Sequence, residues 1–112
     1  MLRGPREEYS PGSIWLVGDQ HGYAELLLMH DSKALHPKTL YIEDIRVKEE
    51  ERRKGYGTKL YQKIEQMARN MDLDYIQIDS EPSALEFWHK MSFHDIDAVY
   101  YQNKTAMVKE IK

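Results

Sequence analysis

The chain has 112 residues, 41% of them hydrophobic and 31% charged, a mixture that predicts one globular domain over 1–112 and excludes a fibrous or disordered chain. It contains no cysteine, which excludes disulfides, thiolate metal sites and a cysteine nucleophile and is typical of proteins in the reducing cytoplasm. The 16 basic and 19 acidic residues give a net charge of −3, which argues against a nucleic-acid partner.

The first half of the chain predicts three strands after an N-terminal tail. Residues 1–12 contain two prolines and no apolar period, which is typical of an extended or disordered segment. Apolar runs at Ser13–Val17 and Tyr23–His30 flank a five-residue loop with a glycine at each end, and this pattern predicts an antiparallel hairpin. A third strand is predicted over Thr39–Val47. The longest apolar run, Leu26–Met29, is far too short for a membrane span, and no secretory leader opens the chain. We therefore expect a cytoplasmic protein without membrane contact.

The second half predicts a strand–helix–strand unit, a shorter helix and two closing strands. Residues 73–79 are apolar on both faces, as in a buried strand parallel to the third one, so the two form a βαβ unit with the helix between them. Ser83 and Glu86 have the spacing of a capping box that starts a second helix, and Phe93–Tyr100 and Lys104–Ile111 are predicted strands. The first helix shows its apolar face at a 3.6-residue period: Leu60, Ile64, Met67, Ala68 and Met71. We predict an α+β (mixed α/β) fold, with a central mixed, mostly antiparallel β-sheet, one βαβ unit and two main helices.

Three cations and two glycines occur together just before the first helix, in Arg52-Arg53-Lys54-Gly55-Tyr56-Gly57-Thr58. A cation at the positive end of a helix dipole costs about 0.3–1 kcal/mol, and a glycine in the first turn costs up to roughly 1 kcal/mol relative to alanine. Such a segment exposes backbone N–H groups to an anion, so a phosphate or diphosphate is the expected ligand. The alternative is a polar loop whose cations only neutralise Glu49–Glu51. A dinucleotide fingerprint would need a third small residue at Leu60, and a P-loop would end in Gly-Lys-Ser/Thr, so neither motif fits.

Three segments, in order and at the right spacing, resemble the GNAT superfamily of N-acetyltransferases. The first is the strand Tyr41–Val47 followed by Arg52-x-x-Gly55-x-Gly57 and an amphipathic helix, which resembles the acetyl-CoA-binding core of that family. The second, Ala84-Leu-Glu-Phe-Trp-His-Lys-Met-Ser-Phe93, is similar to a motif in which Ala-x-x-Phe-Tyr leads to Gly-Phe. The third, Tyr100-Tyr101 followed by Ala106-Met107-Val108-Lys109, resembles the last strand pair. The resemblance covers roughly residues 13–112.

This resemblance implies a GNAT-like fold, acetyl-CoA as acetyl donor and direct transfer of acetyl from the thioester to an amine. The backbone of the third strand would pair with the pantetheine arm, and the amides of 53–58 would hold the diphosphate. The five histidines show no metal-ligand spacing, so no metal is expected. The predicted cofactor-binding residues are Ile45, Arg46, Val47, Arg52, Arg53, Lys54, Gly55, Tyr56, Gly57, Thr58 and Trp88.

The same resemblance supplies catalytic candidates. Glu43 matches a position from which several family members activate the amine through water, with an exposed structural carboxylate as the alternative. The backbone amide of Val47 is the candidate oxyanion donor. Strand alternation predicts that Asp44 faces away from Glu43, so that both do not serve one site. Trp88 stands where the family commonly has a tyrosine acid, and because an indole cannot trade protons near neutral pH, Tyr100 is the candidate acid, with Tyr101 and His89 as alternatives.

A second departure from the family lies at the N-terminus. The family usually has two helices between its first and second strands, whereas only Met1–Ser13 precedes the first predicted strand here. We therefore expect an open acceptor side that accepts a peptide or protein amine, or one that a second copy completes in a homodimer. The alternative function is a catalytically weak acetyl-CoA-sensing module that regulates a partner protein. A nucleic-acid-binding module is a third interpretation, supported only by the Arg52–Lys54 cations and the aromatic residues.

Overall fold

The computed structural model describes residues 2–3, 14–29, 38–48, 54–96 and 103–112, which form one mixed sheet and two α-helices. The sheet has seven strands in the order β1-β2-β3-β4-β5-β7-β6, and every neighbouring pair is antiparallel except β4 and β5, which are parallel. In chain order the elements are β1 Leu2–Arg3, β2 Ile14–Asp19, β3 Gly22–Met29, β4 Thr39–Val47, α1 Tyr56–Asn70, β5 Tyr75–Ser80, a 3₁₀ helix Pro82–Ala84, α2 Leu85–Lys90, β6 His94–Asp95 and β7 Thr105–Glu110. The predicted fold class, with its βαβ unit β4-α1-β5 and two main helices, is confirmed.

The β2–β3 hairpin is tighter than the sequence predicts. The turn is only Gln20–His21, because Gly18 and Gly22 belong to the strands and pair with Tyr23 and Asp19. The backbone N–H of His21 donates to Asp19 Oδ1 at 2.8 Å, which closes the turn. The five-residue loop predicted at 18–22 is therefore wrong.

The N-terminal segment contributes to the sheet at its edge. Leu2 and Arg3 pair antiparallel with Val17 and Leu16 of β2, so part of the predicted tail is a short strand. Residues 4–13, which connect β1 to β2, lie outside the described residues.

The second helical segment starts differently from the prediction. Pro82 occupies the first position of a 3₁₀ helix, and its fixed φ starts the turn one residue before Ser83. Ala84 is then the N-cap of α2 and makes no side-chain capping hydrogen bond. The predicted capping box of Ser83 and Glu86 is therefore wrong. Of the predicted strand Phe93–Tyr100, the structure assigns His94–Asp95 to β6, and residues 97–100 lie outside the described part.

The core lies between the sheet and the apolar face of α1. Five core residues are at most 1% exposed: Leu26 of β3, Ile42 of β4, Ile76 of β5, Met107 of β7 and Ile64 of α1. Strands on both sides of the β4–β5 pair therefore pack against the same helix. The core holds α1 against both β4 and β5, and the helix start is thereby fixed beside the ends of these strands. Among the described residues, no helix is both long enough and apolar enough to cross a membrane.

An aromatic cluster docks α2 on this core. The Trp88 ring is 2% exposed and packs edge-to-face against Tyr61 of α1 and against Phe87 and Phe93, at centroid distances of 5.8, 4.9 and 5.1 Å. Each such pair contributes about 0.5–1.5 kcal/mol beyond the area it buries. The cluster therefore fixes α2 next to the N-terminal half of α1.

Candidate active site

The two parallel strands in the middle of the sheet pair over only part of their length. The register of β4 and β5 runs from Thr39–Tyr75 to Ile42–Ile78. Beyond that point β4 stays paired with β3 as far as Val47–Gly22, and β5 stays paired with β7 as far as Ser80–Thr105. The strands therefore separate into a fork, which leaves a cleft within the sheet.

A β-bulge lies where the fork opens. Glu25 of β3 pairs with Asp44 and the next residue, Leu26, pairs with Ile42, so Glu43 is the extra residue on β4. Bulges twist and bend a strand and redirect its side chains. The bulge therefore turns the outer part of β4 away from β5 and leaves the Glu43 side chain exposed at the fork.

The part of β4 after Ile42, which we call outer β4, directs backbone groups toward this cleft. The N–H of Lys48 donates to the carbonyl of His21 at 2.8 Å, so Lys48 points its backbone groups at the β2–β3 hairpin. Backbone groups alternate in direction along a strand. The N–H and C=O groups of Val47 and Ile45 therefore point away from β3 and into the fork.

The fork opens into a cavity of about 560 Å³ that reaches the start of α1. Its walls come from three places: outer β4, the first residues of α1, and the segment that begins with the 3₁₀ helix. The lining residues are Ile45, Val47, Gly55, Gly57, Thr58, Ser83, Ala84, Phe87, Trp88 and Lys90. The cavity therefore joins the fork to the glycine-containing segment that the sequence singled out.

The start of α1 is suited to an anion. Gly55 is the N-cap with φ +85°, a left-handed conformation that favours glycine, and it has no side chain to cap the first amides. No acidic residue stands in the first turn, so the positive end of the helix dipole is not neutralised from within the turn. A Cβ on Gly57 would lie 3.4 Å from Phe87 Cε1 and 3.7 Å from Val47 Cγ2, so any larger side chain would enter the cavity.

A second cavity, of about 340 Å³, lies on the acidic side of the same fork. Its lining contains four acidic residues and two basic ones: Glu43, Asp44, Asp79 and Glu81, and Arg46 and Lys104. Arg46 Nε donates to Asp44 Oδ1 at 3.0 Å, and this pairing raises the pKa of Arg46. Among the described residues, the four carboxylates outnumber the two cations, which gives this side of the fork a negative field.

Two of the four carboxylates of this second cavity accept hydrogen bonds from tyrosines. The Tyr41 hydroxyl donates to Asp79 Oδ2 at 2.5 Å, and the Tyr23 hydroxyl donates to Asp44 Oδ2 at 3.3 Å. The charge of Asp44 raises the pKa of Tyr23, which keeps that phenol protonated. These tyrosines therefore act as hydrogen-bond donors that orient Asp44 and Asp79.

Most of the predicted site residues that the structure describes lie around the fork. Glu43 and Asp44 both line the acidic cavity; the prediction that they face opposite ways is wrong, because the bulge breaks the alternation. Arg46 also lines the acidic cavity, Trp88 lies at the wall of both cavities, and Lys54 is exposed directly before Gly55. The Tyr56 side chain lies elsewhere, in a smaller cavity beside the β2–β3 turn. The predicted residues Arg52, Arg53 and Tyr100 lie outside the described part of the chain.

Sequence reasoning missed one wall of the larger cavity. Phe87, Ser83 and Lys90 line it, but none was among the predicted cofactor-binding residues. The Phe87-Trp88 pair was the available signal, because adjacent residues on a helix point in different directions, and Phe87 is only partly buried. Among the described residues, no group of three or more His, Asp or Glu side chains is arranged to hold a metal ion.

The chain matches a model of the acetyltransferase (GNAT) family over residues 4–93. No match was found among curated protein sequences. Several solved structures share the fold. A GNAT-family acetyltransferase from Staphylococcus aureus Mu50 is 18% identical, with a TM-score of 0.68 over 89% of this chain and 68% of that one. The PaiA N-acetyltransferase from Thermoplasma acidophilum, solved in complex with coenzyme A, is 14% identical, with a TM-score of 0.70 over 88% of this chain and 60% of that one.

A structure of similar length also matches. The IAA acetyltransferase from Bacillus cereus ATCC 14579 is 16% identical, with a TM-score of 0.69 over 99% of both chains. The present chain therefore spans 60–68% of the first two structures and nearly all of the third. At these identities the likeness shows a common fold.

Proposed function

Because the chain belongs to the GNAT acetyltransferase family, we propose that it transfers the acetyl group of acetyl-CoA directly to a primary amine. The amine lone pair attacks the thioester carbonyl, the C–N bond forms, the C–S bond breaks, and coenzyme A leaves as a thiolate that takes up a proton. The observation that carries this proposal is the fork between β4 and β5, into which the backbone of Ile45 and Val47 points.

The larger cavity fits acetyl-CoA in its chemistry. A pantetheine arm carries amide groups, and the backbone of Ile45, directed into the fork where β4 and β5 no longer pair, would bind it as an added strand does. A diphosphate matches the uncapped amides of Gly55–Thr58 and the adjacent Lys54. Arg52 and Arg53 would add positive charge to the same site. The relative solved with coenzyme A supports this ligand.

Catalysis is proposed to use three groups around the fork. Glu43 would take a proton from the amine through a water molecule, since an alkylammonium with a pKa of about 10 is not a nucleophile at pH 7. The amide of Val47, directed into the fork, would stabilise the oxyanion that forms during attack. Tyr100 is the proposed acid for the thiolate. Trp88 would pack against the cofactor as part of the cavity wall.

The acceptor is proposed to be a cationic amine, reached from the acidic side of the fork. Four carboxylates line that cavity and attract positive charge. The connection between β1 and β2 is short, at residues 4–13, which supports an open acceptor side. We propose that the acceptor is the amine of a peptide or protein, which an open surface accommodates better than it does a small metabolite.

Cofactor binding is tested by calorimetric titration of acetyl-CoA into wild type and Gly57→Val. The valine side chain would enter the cavity beside Phe87, so we expect at least a 10-fold loss of affinity. Gln62→Val, at an exposed position of the same helix, controls for the poorer helix propensity of valine and should bind normally. No binding to the wild type, or normal binding to Gly57→Val, would contradict the proposed cofactor site.

Turnover is tested by thiol release from acetyl-CoA with a panel of amines and basic peptides. We expect release with at least one acceptor, and Glu43→Gln should lower kcat by roughly 10²-fold or more, as is typical for loss of a general base. Its affinity for acetyl-CoA should not change. Glu25→Gln, on the strand opposite the bulge, is the matched control. Binding without release for every amine would favour a sensing role, and full activity in Glu43→Gln would remove Glu43 from the mechanism.

A further inference from the structure

A stacked pair of rings joins the β2–β3 turn to the first residue of α1. The rings of His21 and Tyr56 lie nearly parallel, at 9°, with centroids 3.6 Å apart. The two residues are 35 positions apart in the chain, and Tyr56 stands between Gly55 and Gly57 in the segment proposed to bind the diphosphate. The stack therefore connects that segment to a different part of the sheet.

The turn that carries His21 is held from three sides. The backbone N–H of His21 donates to Asp19 Oδ1 at 2.8 Å. The backbone carbonyl of His21 accepts the N–H of Lys48, directly after β4, at 2.8 Å. Lys63 of α1 lies 3.4 Å from Asp19 Oδ2. The imidazole ring therefore projects from a backbone that is fixed to β4 and to α1.

The helix start packs against Phe87 and Val47 at Gly57 but is open at Gly55. No heavy atom of the described residues lies within 4 Å of the position that a Cβ on Gly55 would occupy. Gly55 and Gly57 line the large cavity, whereas the Tyr56 side chain lies in a separate cavity of about 230 Å³ together with His21 and Lys59. The stacked Tyr56 ring thus supports the first turn on the side away from the proposed ligand.

We propose that His21 is a positioning residue, which through the Tyr56 ring holds the first amides of α1 in place for the diphosphate of acetyl-CoA. The proposal rests on the proposed function, because it needs that diphosphate at Gly55–Thr58. Amides that are already in place bind an anion without the cost of ordering them at the moment of binding. His21 itself touches neither of the two cavities at the fork.

The test compares two acetyl donors, acetyl-CoA and S-acetylpantetheine, which lacks the diphosphate. In His21→Ala we expect KM for acetyl-CoA to rise roughly 2- to 10-fold, the range that corresponds to loss of one aromatic pair, with kcat unchanged. KM for S-acetylpantetheine should stay the same, because this donor has no group that uses the helix start. His21→Phe keeps a flat ring at this position and should restore KM for acetyl-CoA.

Controls separate this inference from a general loss of structure. His94→Ala removes an exposed histidine from β6, at the far edge of the sheet, and should leave both KM values unchanged. Equal rises in KM for both donors, or no rise for acetyl-CoA, would overturn the role of His21. If the wild type uses neither donor, the proposed function itself fails, and that result is distinct from either of the others. Should His21→Ala not fold, failure of His21→Phe to match the wild type would still decide against the stack.

Discussion

Glu65 on α1 is the most strongly perturbed carboxyl of the described residues, and it predicts a specific pH dependence of stability. Its carboxylate accepts hydrogen bonds from Lys109 of β7 at 2.7 Å, from Tyr61 at 2.7 Å and from Arg69 at 2.8 Å. Burial opposes ionisation of this carboxyl, but the three donors outweigh burial and lower its pKa from 4.5 to about 2. We therefore expect the ionised Glu65 to stabilise the folded protein by holding α1 against β7.

The size of the effect follows from this shift. One pKa unit corresponds to about 1.4 kcal/mol, so a change from 4.5 to about 2 sets an upper limit of roughly 3–4 kcal/mol on the contribution of Glu65. The side chain is 20% exposed, and the solvent near it screens part of the interaction, so we expect about 2 kcal/mol. Because the pKa is lower in the folded state, this contribution is complete above pH 4.5. It is lost as the pH falls toward 2.

Urea unfolding between pH 7 and pH 2 measures this contribution. The free energy of unfolding of the wild type should fall between pH 4.5 and 2, and Glu65→Gln should be less stable at pH 7 and should show a flatter dependence over that interval. Glu110→Gln, at an exposed carboxylate 3.8 Å from Lys112, should differ little from the wild type. Parallel pH profiles for wild type and Glu65→Gln would refute the assignment.

Two further changes test the packing around the site, each by the free energy of unfolding in urea. Gly55→Ala should lose about 1 kcal/mol because of its φ of +85°, whereas Gly57→Ala, whose Cβ fits at 3.4 Å from Phe87, should gain up to about 1 kcal/mol from better helix propensity. Equal effects at the two glycines would contradict the left-handed N-cap. Trp88→Ala should cost about 3–5 kcal/mol, as expected for a ring that is 2% exposed. A loss under 1 kcal/mol would place the ring outside the core.

The regular elements were predictable because periodicity reports which face is buried. The strand Thr39–Val47 has the predicted bounds, and the predicted helical face from Leu60 to Ala68 is the face of α1 that packs in the core. The bulge at Glu43 was not predictable, because it depends on how β4 pairs with β3 and not on β4 alone. The capping box failed for a local reason, since Pro82 starts the helical turn before Ser83.

The candidate site could be predicted from the sequence where its residues are consecutive, but not where residues from distant parts of the chain come together. Gly55 and Gly57 predict a helix start that exposes its amides, and both residues line the larger cavity. Phe87, which forms the opposite wall, comes some thirty residues later. His21, whose ring stacks on Tyr56, belongs to the β2–β3 turn. Such pairs depend on the tertiary fold, and one sequence contains no local pattern that specifies them.

The fork also divides the molecule into two parts. One part contains strands β1 to β4 and the other contains β5, β7 and β6. In the described part of the chain, the sheet joins them only along the register from Thr39–Tyr75 to Ile42–Ile78. Acetyl-CoA bound in the cleft, as proposed, would contact both parts. Its binding would therefore oppose separation of the two parts along the paired segment of β4 and β5. Backbone amides of the paired segment of β4 and β5 should then exchange with solvent more slowly in the complex, at positions far from any ligand atom.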